Sequence, residues 1–311
     1  MSSIRNAICI DCRRLEAVSP DQNVPSLPRP RASLEWMARL IVSGGLVFLA
    51  ACAMAKLVTA APGPRAAIPR DPAALARTLV NSKTELARAI DAWTADDSPR
   101  PPEEVSLDAL YDQRIELLLS ERPGLARETL KRVPVGIARG LRSNLTAKRE
   151  LWRLTPPTRR RRFRTGPALP PATLLRYYRA GQARFGVRWN VLAAVNFVES
   201  AFNRLRNDSA SGAQGPMQFI SATWRAYGLG GNVHDPHDAI LGAANYLHAN
   251  GAPRDNRRAL LRYNPSPLYV DAVLRYARRI RTDPRAFYEY YARQVFVRTP
   301  SGLRRITGPG L

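Results

Sequence analysis

The stretch Val191-Leu192-Ala193-Ala194-Val195-Asn196-Phe197-Val198-Glu199-Ser200-Ala201-Phe202 decides how the rest of the chain is read. Its apolar residues fall nearly all the way round a helix, and such a helix lies buried in the middle of its domain. A single carboxylate, Glu199, stands at the C-terminal end. Asn196, Glu199 and Asn203 are spaced at three and four and are expected on one face. Partial desolvation and the negative end of the helix dipole both disfavour the charged carboxylate, which predicts a raised pKa. A carboxyl group held protonated near neutral pH can act as a general acid. Helix position alone fits an inert structural carboxylate equally well.

The loop that follows shifts that balance. In Ser209-Ala210-Ser211-Gly212-Ala213-Gln214-Gly215-Pro216-Met217-Gln218-Phe219, the glycines permit close backbone approach, and Ser209, Ser211 and Gln218 can donate to sugar hydroxyls or to the carboxylate. Met217, Phe219 and Trp224 offer apolar surface for a sugar ring, or else they serve a core. Farther on, Tyr263-Asn264 ends a helix, and the Tyr263 phenol is expected to reach and orient Glu199.

Together these pieces are more specific than singly. Glu199-Ser200-x-Phe202-Asn203, the Ser209 to Phe219 loop and Tyr263-Asn264 resemble the lytic transglycosylases of the soluble-transglycosylase type, with a goose-lysozyme-like helical fold. Asp235-Pro236-x-Asp238-Ala239-Ile240 to Tyr246-Leu247 is similar to the helix between those motifs. The resemblance covers roughly residues 172 to 282. The arginine-rich usage and the Gly-Pro-Met-Gln-Phe variant resemble actinobacterial sequences. The resemblance implies Glu199 as the catalytic acid and base, with Ser200, Ser209, Ser211, Met217, Gln218, Phe219, Tyr263 and Asn264 at the substrate. It implies no cofactor and no metal. The reaction implied is non-hydrolytic cleavage of peptidoglycan between N-acetylmuramic acid and N-acetylglucosamine, leaving a 1,6-anhydro ring. Departures from the family pattern are one extra residue ahead of the Gly-Ala pair, Pro216 in place of Leu, and Tyr263-Asn264-Pro265-Ser266 in place of Tyr-Asn-x-Gly.

Two rivals stand beside this reading. A hydrolytic muramidase of the inverting kind needs a second carboxylate about 6.5 to 9.5 Å away, for which Asp208 is the candidate. Asp235 and Asp238 are better explained as helix starts. A non-catalytic wall-binding module would keep the groove without the reaction.

The remaining sequence bears on delivery. With 311 residues, length suggests two folded units plus a leader. The net charge of +23 is almost all arginine, the lysines being Lys56, Lys83, Lys131 and Lys148. Such a surplus favours acidic partners, among them nucleic acid, anionic lipid and anionic wall polymers. Nucleic acid is set aside, because no recognised binding motif accompanies the charge. The three cysteines, Cys9, Cys12 and Cys52, all precede the folded regions and exclude a disulfide framework there. Cys9 and Cys12 form a lone CxxC that lacks two further zinc ligands.

Residues 1 to 36 read as a disordered leader or a mis-assigned start, with Met37 where an exported chain would begin. Residues 37 to 61 carry Arg39 and an apolar run ending in small residues, the pattern of an export signal. Leu49-Ala50-Ala51-Cys52 resembles a lipobox, which would lipidate Cys52; cleavage near Thr59-Ala60-Ala61, or retention as a membrane anchor, are the competing readings. The chain is thus expected in the cell envelope, membrane-associated or secreted. Residues 71 to 154 read as an all-helical accessory module. Its expected helices start at Asp71-Pro72, at Ser106, and at Gly124, the last running to Arg142 with a break near Pro134. Residues 155 to 170 read as an Arg/Pro-rich linker, 171 to 282 as the all-α, lysozyme-like domain, and 283 to 311 as a helix and an unplaced tail.

Overall fold

The computed structural model describes residues 60–311. The leader, the Cys9/Cys12 pair, Met37, Cys52 and nearly all of the export segment lie outside the described residues. Among the described residues the architecture is all-α, with eleven helices and one short hairpin. None of these helices is long and apolar enough to cross a membrane.

Four helices come first: α1 (Pro72–Ala95), α2 (Glu103–Glu121), α3 (Pro123–Leu130) and α4 (Val135–Leu154). Asp71 caps α1, its Oδ2 accepting from Ala74 N–H at 2.7 Å, and Pro72 occupies the first turn. Helix α2 begins ahead of the expected Ser106, because Glu103 and Glu104 suit the positive end of the helix dipole. The break expected near Pro134 is present. Beyond it α4 does not stop at Arg142 but continues to Leu154, since Ala138, Leu141, Leu145 and Ala147 keep one face buried at helical spacing.

The remaining helices are α5 (Pro171–Phe185), α6 (Trp189–Ser200), α7 (Ser221–Tyr227), α8 (Pro236–Ala249), α9 (Asn256–Tyr263), α10 (Pro267–Thr282) and α11 (Arg285–Ala292). Val191 through Val195 are buried on every side of α6, as the all-round apolar sequence predicts. Helix α5 lies on α8, while α6 and α4 both lie on α10. Gly181 permits the meeting of α5, α6 and α8: a Cβ there would stand 2.9 Å from Leu192 Cδ1 and 3.2 Å from Ala244 Cβ. Asp235 caps α8 by accepting from His237 and Asp238 N–H at 2.8 and 3.1 Å.

The segment 71–154 has a core of its own around Leu75, Leu79, Ile115, Leu119 and Leu141. It also shares the larger core: Leu86, Ile90, Trp93, Val105 and Ala147 cluster with residues of α5 to α11. A buried ion cluster reinforces this union. Lys83 Nζ stands 2.8, 3.3 and 3.1 Å from Asp112, Glu116 and Glu289, and Arg293 Nη2 stands 2.7 Å from both Glu116 and Glu289. Asn144 donates to Glu116 at 2.9 Å and accepts from Tyr290 at 2.7 Å. Removing one partner would strand an enclosed charge, so the cluster ties α1, α2 and α4 to α11 and its end.

Residues 155–170 form a strap pinned at both ends. Thr158 N–H donates to Arg298 O at 2.8 Å, and Gly166 N–H donates to Arg204 O at 3.1 Å. Arg159 through Arg162 between them are exposed. The tail forms a hairpin of β1 (Phe296–Thr299) and β2 (Gly302–Arg305), antiparallel with Phe296 opposite Arg305. Arg298 fastens it to the end of α4 by donating to Trp152 O and Thr155 O at 2.8 and 3.1 Å.

Candidate active site

Helix α6 delivers Glu199 one residue before its end, and the chain then reverses through Ala201, Phe202 and Asn203 at φ of 50, 60 and 66°. Left-handed backbone costs a non-glycine residue roughly 1–2 kcal/mol. Packing opposes that cost: Phe202 is fully buried, 5.5 Å from the Phe197 ring and 5.8 Å from Phe287. Because of this reversal Asn203 leaves the helix and does not share a face with Glu199. Asn196 turns inward, accepting from Tyr178 Oη at 2.6 Å and donating to Pro216 O at 2.9 Å.

The glycine loop is held from beneath. Ser200 Oγ donates to Pro216 O at 2.7 Å, and Tyr263 Oη donates to Met217 O at 2.5 Å. A tight turn runs from Gly215 to Gln218, whose N–H donates to Gly215 O at 3.1 Å, with both residues at positive φ. A Cβ on Gly215 would fall 1.9 Å from Val233 O, so only glycine fits. Ser209 and Ser211 share a hydroxyl contact of 2.9 Å.

These contacts sort the expected site residues. Ser209, Ser211 and Asn264 line a cavity of about 470 Å³ beside Val198 and Tyr269. Glu199, Ser200 and Ser209 border a second cavity of about 500 Å³. Ser200 is 1% exposed with its hydroxyl engaged on the loop, so it is a loop anchor without a free group for substrate. Met217 and Phe219 are buried in the core, Phe219 edge-on to Trp224 and Tyr263 at 5.2 and 5.9 Å, and present no sugar platform. Gln218 turns back on the loop, donating to Gly215 O at 3.0 Å.

The phenol on Glu199 is Tyr269, not Tyr263: Tyr269 Oη donates to Glu199 Oε1 at 2.5 Å. Tyr269 sits in the first turn of α10, buried, with its hydroxyl directed at the end of α6. Sequence reasoning passed over it in favour of the Tyr-Asn pair. The available signal was its phase on α10, which it shares with the buried Val273, Tyr276 and Ile280. Burial pushes the Glu199 carboxyl up to about 7, and the Tyr269 hydrogen bond offsets only part of that. Burial and the neighbouring Glu199 charge push the Tyr269 hydroxyl up as well, which keeps it a neutral donor.

Asp208 stands apart. It is exposed and paired with Arg164 Nη2 at 3.2 Å, and it lines neither cavity. Two groups of potential metal ligands occur among the described residues. Asp235, His237 and Asp238 begin α8 with their carboxylates on backbone N–H groups, and Asp112, Glu116 and Glu289 already hold Lys83.

Comparison with curated proteins and with solved structures finds no match. Residues 176–283 match the family described as Transglycosylase SLT domain, about a third of the chain. That span runs from within α5 to just past α10 and takes in Glu199, the glycine loop and Tyr269. The chain therefore carries an all-α, lysozyme-like SLT domain, and that domain indicates a lytic transglycosylase, a glycosidic-bond lyase acting on peptidoglycan.

Proposed function

We propose that Glu199 is the single acid and base of a non-hydrolytic cleavage between N-acetylmuramic acid and N-acetylglucosamine. The protonated carboxyl gives its proton to the bridging oxygen as the bond from that oxygen to C1 of the muramyl residue breaks. The substrate's own acetamido oxygen stabilises the cation developing at C1. The Glu199 carboxylate then takes the proton of the C6 hydroxyl, O6 bonds to C1, and the 1,6-anhydro ring closes with Glu199 protonated again. One residue serving in turn as acid and base is an established logic for glycosidic bonds.

The observation that carries this reading is that Glu199, raised to about 7, is among the described residues the sole carboxylate lining either cavity. Asp208 is drawn off by Arg164 and exposed, which disfavours the hydrolytic alternative. Tyr269 positions the carboxyl, and Ser209, Ser211 and Asn264 are the groups offered to the glycan. The test is digestion of peptidoglycan by wild type, Glu199→Gln and Asp208→Asn, with mass spectrometry of the fragments. Anhydro ends are expected from wild type and Asp208→Asn, and none from Glu199→Gln. Reducing ends that vanish in Asp208→Asn would overturn the lyase reading.

The substrate lies in the cell envelope. Residues 37–61 are the proposed export signal and Cys52 the proposed lipid site, checked by mass spectrometry of the mature N-terminus.

A further inference from the structure

The second cavity has a wall that the family domain does not supply. Lys148 of α4, Tyr276 of α10 and Val297 of the hairpin border it together with Glu199. Lys148 and the hairpin lie outside the matched span. Among the described residues Lys148 makes no ion pair and no hydrogen bond. Glu116, the carboxylate that acts on it, is fully engaged: Oε1 accepts from Lys83 and Asn144, and Oε2 meets Arg293. Burial and the nearby Arg293 push the Lys148 ammonium down to about 8, with Glu116 offsetting part of that. Lys148 stands outside the ion pairs of the cluster beside it, in which Lys83, Arg279 and Arg293 meet Asp112, Glu116 and Glu289.

Tyr276 supplies an independent sign. It is 1% exposed, and its hydroxyl has no hydrogen-bond partner. A buried hydroxyl left unmade is costly, so an unpaired one at a cavity points to a group that arrives with the ligand. Other polar linings are taken: Gln113 exchanges two hydrogen bonds with Gln294, and Arg298 holds the end of α4. An unpaired ammonium and an unpaired phenol at one cavity are two donors awaiting an acceptor of negative charge.

We propose that this cavity is a carboxylate subsite for the substituent of the muramyl residue, with Lys148 and Tyr276 as its donors. The inference rests on the reading of Glu199 as the acid and base. Near the reacting C1 the glycan is neutral except for the lactyl ether and the peptide it bears. An anion entering the cavity that holds Glu199 therefore comes from that substituent, as the free lactyl carboxylate or as a carboxylate of the stem peptide. The accessory helix α4 thus reads the substituent on the bond that α6 presents for cleavage.

The test measures binding by the full chain carrying Glu199→Gln, so that no substrate is consumed. Three probes are used: glycan strands with intact stems, strands stripped of stems by an amidase, and intact strands whose carboxylates are converted to amides. Adding Lys148→Met is expected to weaken binding of a carboxylate-bearing probe about tenfold, the size of one charge-assisted hydrogen bond, and to leave the amidated probe unchanged. Lys148→Arg is expected to retain most of the affinity, and Tyr276→Phe to lose less than Lys148→Met on the same probe. Loss confined to intact strands assigns the stem carboxylate; loss confined to stripped strands assigns the lactyl group. Equal affinity on every probe, or equal loss on the amidated one, overturns the proposal. Should Lys148→Met fail to fold, Tyr276→Phe still decides by the same comparison. Cleavage by the Glu199→Gln chain itself would instead overturn the catalytic reading, whatever the binding shows.

Discussion

Replacing Glu199 by Gln should stabilise the protein at alkaline pH while removing its activity. The carboxyl sits at about 7 in the folded chain against 4.5 for the free group. The native state therefore keeps a proton that the unfolded chain releases, and stability falls as pH rises from 4.5 towards 7, then levels. Integrating that difference, the half-buried carboxylate costs about 3 kcal/mol at pH 8 and about 1 kcal/mol at pH 5. Gln has no charge to desolvate and still accepts from Tyr269 Oη. The stability of Glu199→Gln relative to wild type should thus rise by about 2 kcal/mol between pH 5 and pH 8. For a folded region of this size that corresponds to about 5 °C in Tm. Thermal melts of both proteins at the two pH values measure it by circular dichroism. A Tm difference that is the same at pH 5 and pH 8 would show that the carboxyl titrates as an ordinary glutamate. The case for a general acid held protonated near neutrality would then fall.

The other predictions concern its supports. Activity should fall with rising pH through about 7, where Glu199 loses its proton, and a rate profile on peptidoglycan checks this. Tyr269→Phe removes a hydrogen bond that lowers the Glu199 pKa, so the alkaline limb should move up by about one unit while the rate drops roughly tenfold. Lys83→Met leaves Asp112, Glu116 and Glu289 short of a cation, and denaturant unfolding should show a loss of about 3–5 kcal/mol. Gly215→Ala drives a Cβ into Val233 O and should abolish activity by displacing the loop, with the helical circular dichroism retained.

Local rules carried far in this chain. The Asp-Pro pairs at 71 and 235 announced helix starts because cap chemistry involves residues two or three apart. The all-round apolar run to Val198 announced a central helix because burial on every side needs every side apolar. The same run placed a carboxylate at its end, and the raised pKa followed from position. Other expectations failed where they depended on which elements meet. The sequence put forward Tyr263 as the phenol near Glu199; the entry of α10 brings Tyr269 there instead, across 70 residues. Ser200 and Met217 read as polar and apolar groups for a sugar, yet the packing of the loop on α6 leaves one bonded beneath the loop and the other in the core. The hairpin was unplaced because strands of four residues carry too little alternation to be read.

What the amino-acid sequence determined by itself was therefore the buried helix, its terminal carboxylate and the order of the motifs around it, all set by spacing along a few turns. The tertiary structure alone decided that α4 lies along α10 and reaches Glu199's cavity, bringing Lys148 there. No periodicity in residues 135–154 specifies that partner, because an apolar helical stripe calls for a neighbour without naming which one.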